Sequence, residues 1–71
     1  MEYVPVRCRI PEHLRRLEKN QQWLADKMGV PKQRISDIVN LKADNITIQR
    51  AAMLAYHLEC GIDDLWKWGW R

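Results

Sequence analysis

Residues 20–42, NQQWLADKMGVPKQRISDIVNLK, constrain this chain more than any other stretch. Asn20 is a good N-cap, because its side-chain oxygen can accept from an orphan backbone N–H at a helix start. A helix over Gln21–Met28 then places Leu24, Ala25 and Met28 on one face, with Trp23 beside them as partial cover. Gly29 follows where the chain must turn, and glycine reaches left-handed backbone angles without a Cβ penalty. Val30 can plug that turn. Pro31 suits the first position of the next helix, where a missing N–H costs nothing. That helix, over Pro31–Asn40, points Ile35, Ile38 and Val39 one way. Gln33, Ser36, Asp37 and Asn40 point the other way at helical spacing, with Lys32 and Arg34 on the flanks. The first helix cannot cover this polar face, and a core must come from elsewhere in the chain.

The chain has 71 residues, which means one domain spanning 1–71. A domain this small buries only about 60% of the surface its unfolded chain exposes, so it depends on economical packing or on a partner. Residues 1–10 read as an arm. Val4, Val6, Cys8 and Ile10 are apolar, and Arg7 and Arg9 fall between them. Period two argues for an extended segment with one buried edge, and Pro5 restricts it to an edge strand or a free arm. Such an arm either lies on its own core or pairs with a second copy. A first helix is expected over Pro11–Glu18, with a stripe of Ile10, Leu14 and Leu17 and a solvated face of Arg15, Arg16 and Lys19. Residues 41–46 read as a polar loop. Thr47 is a plausible N-cap for a longer helix over Ile48–Glu59, whose stripe is Ile48, Ala51, Leu54, Ala55 and Leu58. Gly61 is expected to break it. A short fifth helix is expected over Ile62–Trp66, with Asp63 and Asp64 at its positive end. Trp66, Trp68 and Trp70 follow at a spacing of two, in an aromatic tail over 67–71.

Net charge is +3 and the pI about 9.1, a mild basic bias that suits nucleic acid and equally suits an ordinary soluble domain. No apolar run approaches the ~18 residues of a membrane span. Glu2, Pro5, Arg7 and Arg9 interrupt any leader-like start, so the expected location is cytoplasmic. There Cys8 and Cys60 stay as thiols. With His13 and His57 they offer four potential zinc ligands, but spacings C-x4-H and H-x2-C match no strong zinc signature. The expectation is no metal and no cofactor, with two small buried thiols and two partly exposed imidazoles. Ser36 is the only serine, and no Gly-rich phosphate loop or paired-carboxylate pattern is present. An enzyme with a small-molecule substrate is not expected.

Counted from Gln21, the apolar and special positions resemble the helix-turn-helix of the phage-repressor (Cro/cI, XRE-like) family at Leu24, Ala25, Met28, Gly29, Val30, Ile35 and Ile38. Ala25 is small enough for the third helix to approach the second, Gly29 makes the turn, and Ile35 and Ile38 anchor the third helix. The later segment TIQRAAMLAYHLECGIDDLW is similar to the family at Thr47, Leu54, Ala55, Leu58, Ile62, Asp63, Asp64 and Leu65. The resemblance covers residues 14–66. It departs from the pattern in a slightly short link before helix 2, in Asn20 where Thr or Ser is favoured, and in Pro31 where Ser usually caps. Leu41 stands where Gly commonly ends the third helix.

The resemblance implies an all-α, compact five-helix lambda-repressor-like DNA-binding domain, with helices 2 and 3 as the helix-turn-helix and an extended N-terminal arm. It implies double-stranded DNA as partner and a small transcriptional regulator, a repressor, as the role. In that family the start of helix 3 enters the major groove. Carried onto this chain, Lys32, Gln33 and Asp37 are placed for base edges. Lys32 would donate to guanine and Gln33 would pair with adenine. Asp37 would accept from cytosine N4, or hold Arg34 one turn away. Gln21, Arg34, Ser36, Asn40 and Lys42 are the phosphate or flanking contacts. One subunit offers little surface for tight specific binding, so a homodimer is expected. The arm and Trp66, Trp68 and Trp70 are the candidate interface, or else they cover the helical core within one subunit. The alternative role is a protein-interaction module on the same fold, an antitoxin or a repressor's partner. Asp37 on the reading face and the clustered tryptophans favour it; Lys32, Gln33, Arg34 and Asn40 argue against it.

Overall fold

The computed structural model describes residues 1–43 and 45–71; Asp44, in the loop expected over 41–46, lies outside the described residues. The order is β1 (Tyr3–Cys8), α1 (Ile10–Arg16), α2 (Gln21–Met28), α3 (Lys32–Val39), α4 (Ile48–Leu58), a single 3₁₀ turn (Ile62–Asp64) and β2 (Trp66–Trp70). Ile10, Leu24, Ile35, Leu54, Leu58 and Leu65 are fully buried and come from every helix and from the end of the 3₁₀ turn. Ala25, Ala51 and Ala55 sit among them, which lets α2, α3 and α4 approach closely.

The expected all-α architecture of five helices is corrected to four α-helices and a small sheet among the described residues. The fifth helix shrinks to one turn, closed by Asp64 N–H to Gly61 O and Leu65 N–H to Ile62 O. Trp66 is not its last residue but the first of β2, which pairs antiparallel with β1. The cause is the strand period of Trp66, Trp68 and Trp70, matched to an arm with unspent backbone groups. Arm and tail, expected as separate flanks, are thus the two halves of one ribbon. The register runs Tyr3↔Trp70, Val4↔Gly69, Pro5↔Trp68, then slips at Val6 to Arg7↔Lys67 and Cys8↔Trp66. The slip matters because side chains alternate across a sheet. The extra residue puts Cys8, rather than Arg7, on the side of Trp66, and both are buried against the core.

Every helix ends in the same motif. The N–H of the residue after a left-handed position reaches back to the carbonyl five residues earlier: Lys19 to Leu14, Val30 to Ala25, Lys42 to Asp37 and Cys60 to Ala55. The left-handed positions are Glu18, Gly29, Leu41 and Glu59. Leu41, at φ 59°, therefore ends α3 by doing what glycine does more cheaply elsewhere. Glu59, not Gly61, terminates α4. Both limits of α1 and of α3 also move. α1 begins at Ile10 and ends at Arg16, so Pro11 is its second residue. Pro31 and Asn40 flank α3 as caps rather than lying inside it. Ile48, expected in the buried stripe of α4, is 84% exposed, because it is the first residue of the helix and lies beyond the reach of the core.

Two interactions fix α1 on the core. His13, expected partly exposed, is buried; its Nε2 donates to Asp64 O at 2.8 Å, and its Nδ1 accepts from Arg16 Nη2 at 3.3 Å. Arg16, expected to be merely solvated, donates to Leu58 O at 2.6 Å. A cation there suits the negative end of α4. At the ribbon's base, Glu12 pairs with Arg7 and Arg9.

Candidate nucleic-acid interface

The geometry of α2 and α3 follows from a cap, a turn and two buried isoleucines. Asn20 Oδ1 accepts from Trp23 N–H at 2.9 Å, which starts α2 and leaves the N–H groups of Gln21 and Gln22 free, as at any helix start. Gly29 turns the chain at φ 69°, and Pro31 holds extended backbone before Lys32. Ala25 and Ile35 are fully buried and Ile38 nearly so. They seat α3 on α2, and its opposite face stays outward.

That outward face carries the residues expected from the sequence. Lys32, Gln33, Arg34, Asn40 and Lys42 are exposed; Gln21, Ser36 and Asp37 are half-buried. Gln33 Nε2 donates to Asp37 Oδ1 at 2.9 Å, and Asn40 Nδ2 donates to Ser36 Oγ at 3.3 Å. Both pairs are one turn apart on a single side of α3. The expected Asp37–Arg34 pair is absent among the described residues; Asp37 holds Gln33 instead. Four residues apart places side chains more directly above one another than three. Arg34 is therefore left with an unpaired guanidinium among the described residues. Lys42 lies past the end of α3, with its backbone N–H bonded to Asp37 O at 2.8 Å and its side chain exposed. Gln21 is the first residue of α2, beside Lys19, whose Nζ lies over the Trp23 ring at 5.6 Å.

Two features were not read from the sequence. Arg50 is half-buried in a shallow recess lined by Met28, Thr47, Gln49 and Met53. It stands in the first turn of α4, where the helix dipole disfavours a cation; that misplaced charge was the available signal. The second is where the excess charge lies. Arg7, Arg9, Lys67 and Arg71 against Glu2 make the strand segments 1–9 and 66–71 account for the whole +3. The body between them is balanced. Among the described residues the four weighed as zinc ligands do not come together, and both ring nitrogens of His13 are engaged elsewhere. Burial pushes the Cys8 and Cys60 thiols above their ordinary 9.0. Among the described residues no helix is long and apolar enough to cross a membrane.

A profile of the Cro/C1-type HTH DNA-binding domain matches residues 9–69. The chain is also similar to YopS of Bacillus subtilis (strain 168), described as an SPbeta prophage-derived uncharacterized HTH-type transcriptional regulator. Identity is 32% over 60 residues, covering 84% of this chain and 81% of the relative.

Proposed function

The chain belongs to the Cro/C1-type helix-turn-helix DNA-binding family, and from that premise we propose that it is a sequence-specific regulator of transcription, a repressor, that reads double-stranded DNA in the cytoplasm through α3 in the major groove. The observation that carries this is the outward face of α3. Lys32, Gln33 and Asp37 stand on it opposite Ile35 and Ile38, with no element among the described residues laid over them. Lys32 donates to guanine O6 or N7 and Gln33 pairs with adenine. Asp37 acts partly through its neighbour. Gln33 has two amide hydrogens, and giving one to Asp37 leaves the other, with Oε1, presented toward a base edge. Gln21, Arg34, Ser36, Asn40 and Lys42 contact phosphate or flanking groups and set position and salt dependence rather than sequence choice. Arg50 joins them from the start of α4.

The protein works as a homodimer on a two-fold site, through the arm and/or the tryptophan tail; of that tail Trp68 and Trp70 are exposed, while Trp66 is buried in its own subunit's core. Binding of the whole chain to random duplex DNA across a salt series tests the DNA reading. Affinity should fall steeply as salt rises. No binding even at low salt favours the second reading, a protein-interaction module. That reading draws on Tyr3, Trp68 and Trp70, which are 56%, 41% and 67% exposed.

A further inference from the structure

Two strands alone make a marginal sheet in water, and among the described residues β1 and β2 pair only with each other. Each has an outer edge, and the two edges differ. Glu2 and Arg71 exchange both backbone hydrogen bonds, at 2.7 and 2.8 Å, and Arg9 N–H bonds Leu65 O at 2.8 Å. Bonded and non-bonded pairs alternate along antiparallel strands. Lys67, Gly69 and Arg71 thus turn their backbone groups toward β1, and Trp68 and Trp70 turn theirs away. The outer edge of β1 is blunted by Pro5, which has no N–H, and by the slip at Val6. The outer edge of β2 has neither device.

The side chains beside that edge are sorted by face, since they alternate along a strand. Trp68 and Trp70 lie on one face, where Tyr3 packs on both, with ring centroids 5.7 and 4.9 Å apart. Lys67 and Arg71 lie exposed on the other face. Between them Gly69 leaves a gap that Val6 fills; a Cβ on Gly69 would stand 3.3 Å from Val6 Cγ1. Arg7 and Arg9 already pair with Glu12, whereas Lys67 and Arg71 have no carboxylate partner among the described residues. Two unpaired cations on an edge strand repel a like-charged strand, a second copy included. They attract an acidic one.

We propose that the outer edge of β2 accepts an extended segment of a different, acidic protein, laid antiparallel as a third strand, whose sequence reads acidic, apolar, any residue, apolar, acidic. Strand addition of this kind takes its affinity from main-chain hydrogen bonds and its selectivity from alternate side chains. The two apolar residues lie opposite Trp68 and Trp70, exchange N–H and C=O groups with them, and rest on the aromatic face that Tyr3 shares. The two acidic residues lie opposite Lys67 and Arg71 on the other face. The middle residue lies opposite Gly69. The occupant is acidic because the strand segments hold the whole +3 of the chain, and because the two cations flanking this edge are the ones left unpaired. The proposal uses no residue of α3 and so stands apart from the DNA reading; it gives the protein-interaction reading a partner of defined chemistry.

The test uses the full chain and a capped heptapeptide, Ser-Glu-Val-Thr-Val-Glu-Ser, followed by tryptophan fluorescence and amide exchange. Two control peptides each change one property: lysine replaces glutamate in one, and both valines are N-methylated in the other. The glutamate peptide should bind, and each control should bind at least tenfold more weakly. Saturation should slow exchange of the Trp68 and Trp70 amides at least tenfold and leave the Tyr3 amide unchanged. In Lys67→Glu/Arg71→Glu, which alters exposed side chains only, the preference between the glutamate and lysine peptides should reverse. No binding of the glutamate peptide at millimolar concentration would overturn the proposal. So would equal binding of the N-methylated peptide, which would place the contact on the rings alone. Protection of Trp68 and Trp70 that rises with protein concentration in the absence of peptide would give the edge to a second copy instead. An oligo(dT) that displaces the peptide at lower concentration would make the ribbon a nucleic-acid surface, and would equally end the proposal. None of these results bears on duplex binding by α3, which the salt series tests separately.

Discussion

Gln33→Ala probes the reading face most directly. The residue is exposed, so its truncation removes no core and should leave stability within about 0.5 kcal/mol of the wild type. What it removes is an amide held at 2.9 Å by Asp37 Oδ1. A bidentate contact to a base is worth about 1–3 kcal/mol of discrimination, which is roughly 5- to 150-fold in affinity. Asp37→Ala should act differently. It frees Gln33 and gives up a helix-surface bond of about 0.2–0.5 kcal/mol, so the preferred site weakens by about twofold through that route. It also removes a negative charge from a surface facing phosphates, so binding to a scrambled duplex should tighten. The assay is fluorescence anisotropy on a selected site and a scrambled duplex at one fixed salt concentration. Gln33→Ala should collapse the ratio between them, and Asp37→Ala should narrow it from both sides. Once Gln33 is alanine, the part of the Asp37→Ala effect on the preferred site that acts through Gln33 should vanish. Equal loss on both duplexes for Gln33→Ala, or strict additivity of the two changes, would refute the roles assigned to this pair.

Other predictions concern phosphate contact, the turns and the thiols. Lys42→Ala should weaken binding to all sequences alike and reduce the slope of log affinity against log salt by about 1. Gly29→Ala measures backbone strain alone, since a Cβ there meets nothing within 4 Å at φ 69°. It should cost about 1 kcal/mol in thermal or denaturant unfolding. Leu41→Gly should run the other way, raising stability by up to about 1 kcal/mol, whereas Leu41→Ala keeps the strain and should not. Asn20→Ala loses the bond to Trp23 N–H and should cost about 1 kcal/mol, or roughly 4–8 °C in Tm. The Cys8 thiol is pushed above 9.0 by burial, so it stays protonated in the folded state where the unfolded chain would ionise. Its contribution is level below pH 9 and turns unfavourable to folding as pH rises past it. A thiol reagent at neutral pH should label the half-buried Cys60 before Cys8; simultaneous labelling would contradict the packing of β1.

Local sequence rules reached the working motif because each of its signals acts over a turn or two. Asn20 caps α2 whatever lies beyond, Gly29 takes a left-handed angle that few residues accept, and the spacing of Ile35 and Ile38 buries one side of α3 and presents the other. Gln33 bonded to Asp37 rather than Arg34 lay one step further, because it depends on rotamers and not on residue type. The end of α3 also needed the structure. Leu41 gave no sign of a left-handed stop, but the bond from Lys42 N–H to Asp37 O makes up for the cost of a leucine there.

The alternation in Val4–Ile10 and in Trp66–Trp70 was equally visible in the sequence, yet neither segment could say what it paired with. A strand's hydrogen bonds are satisfied only by another strand, and these two lie at opposite ends of the chain. Sequence alone thus determined the helix-turn-helix and the polar face of α3, whose causes are local. Only the tertiary structure decided that arm and tail form one ribbon, that a slip at Val6 turns Cys8 inward, and that His13 and Arg16 hold α1 in place. Each of those depends on partners between 42 and more than 50 residues away, a distance across which periodicity carries no information.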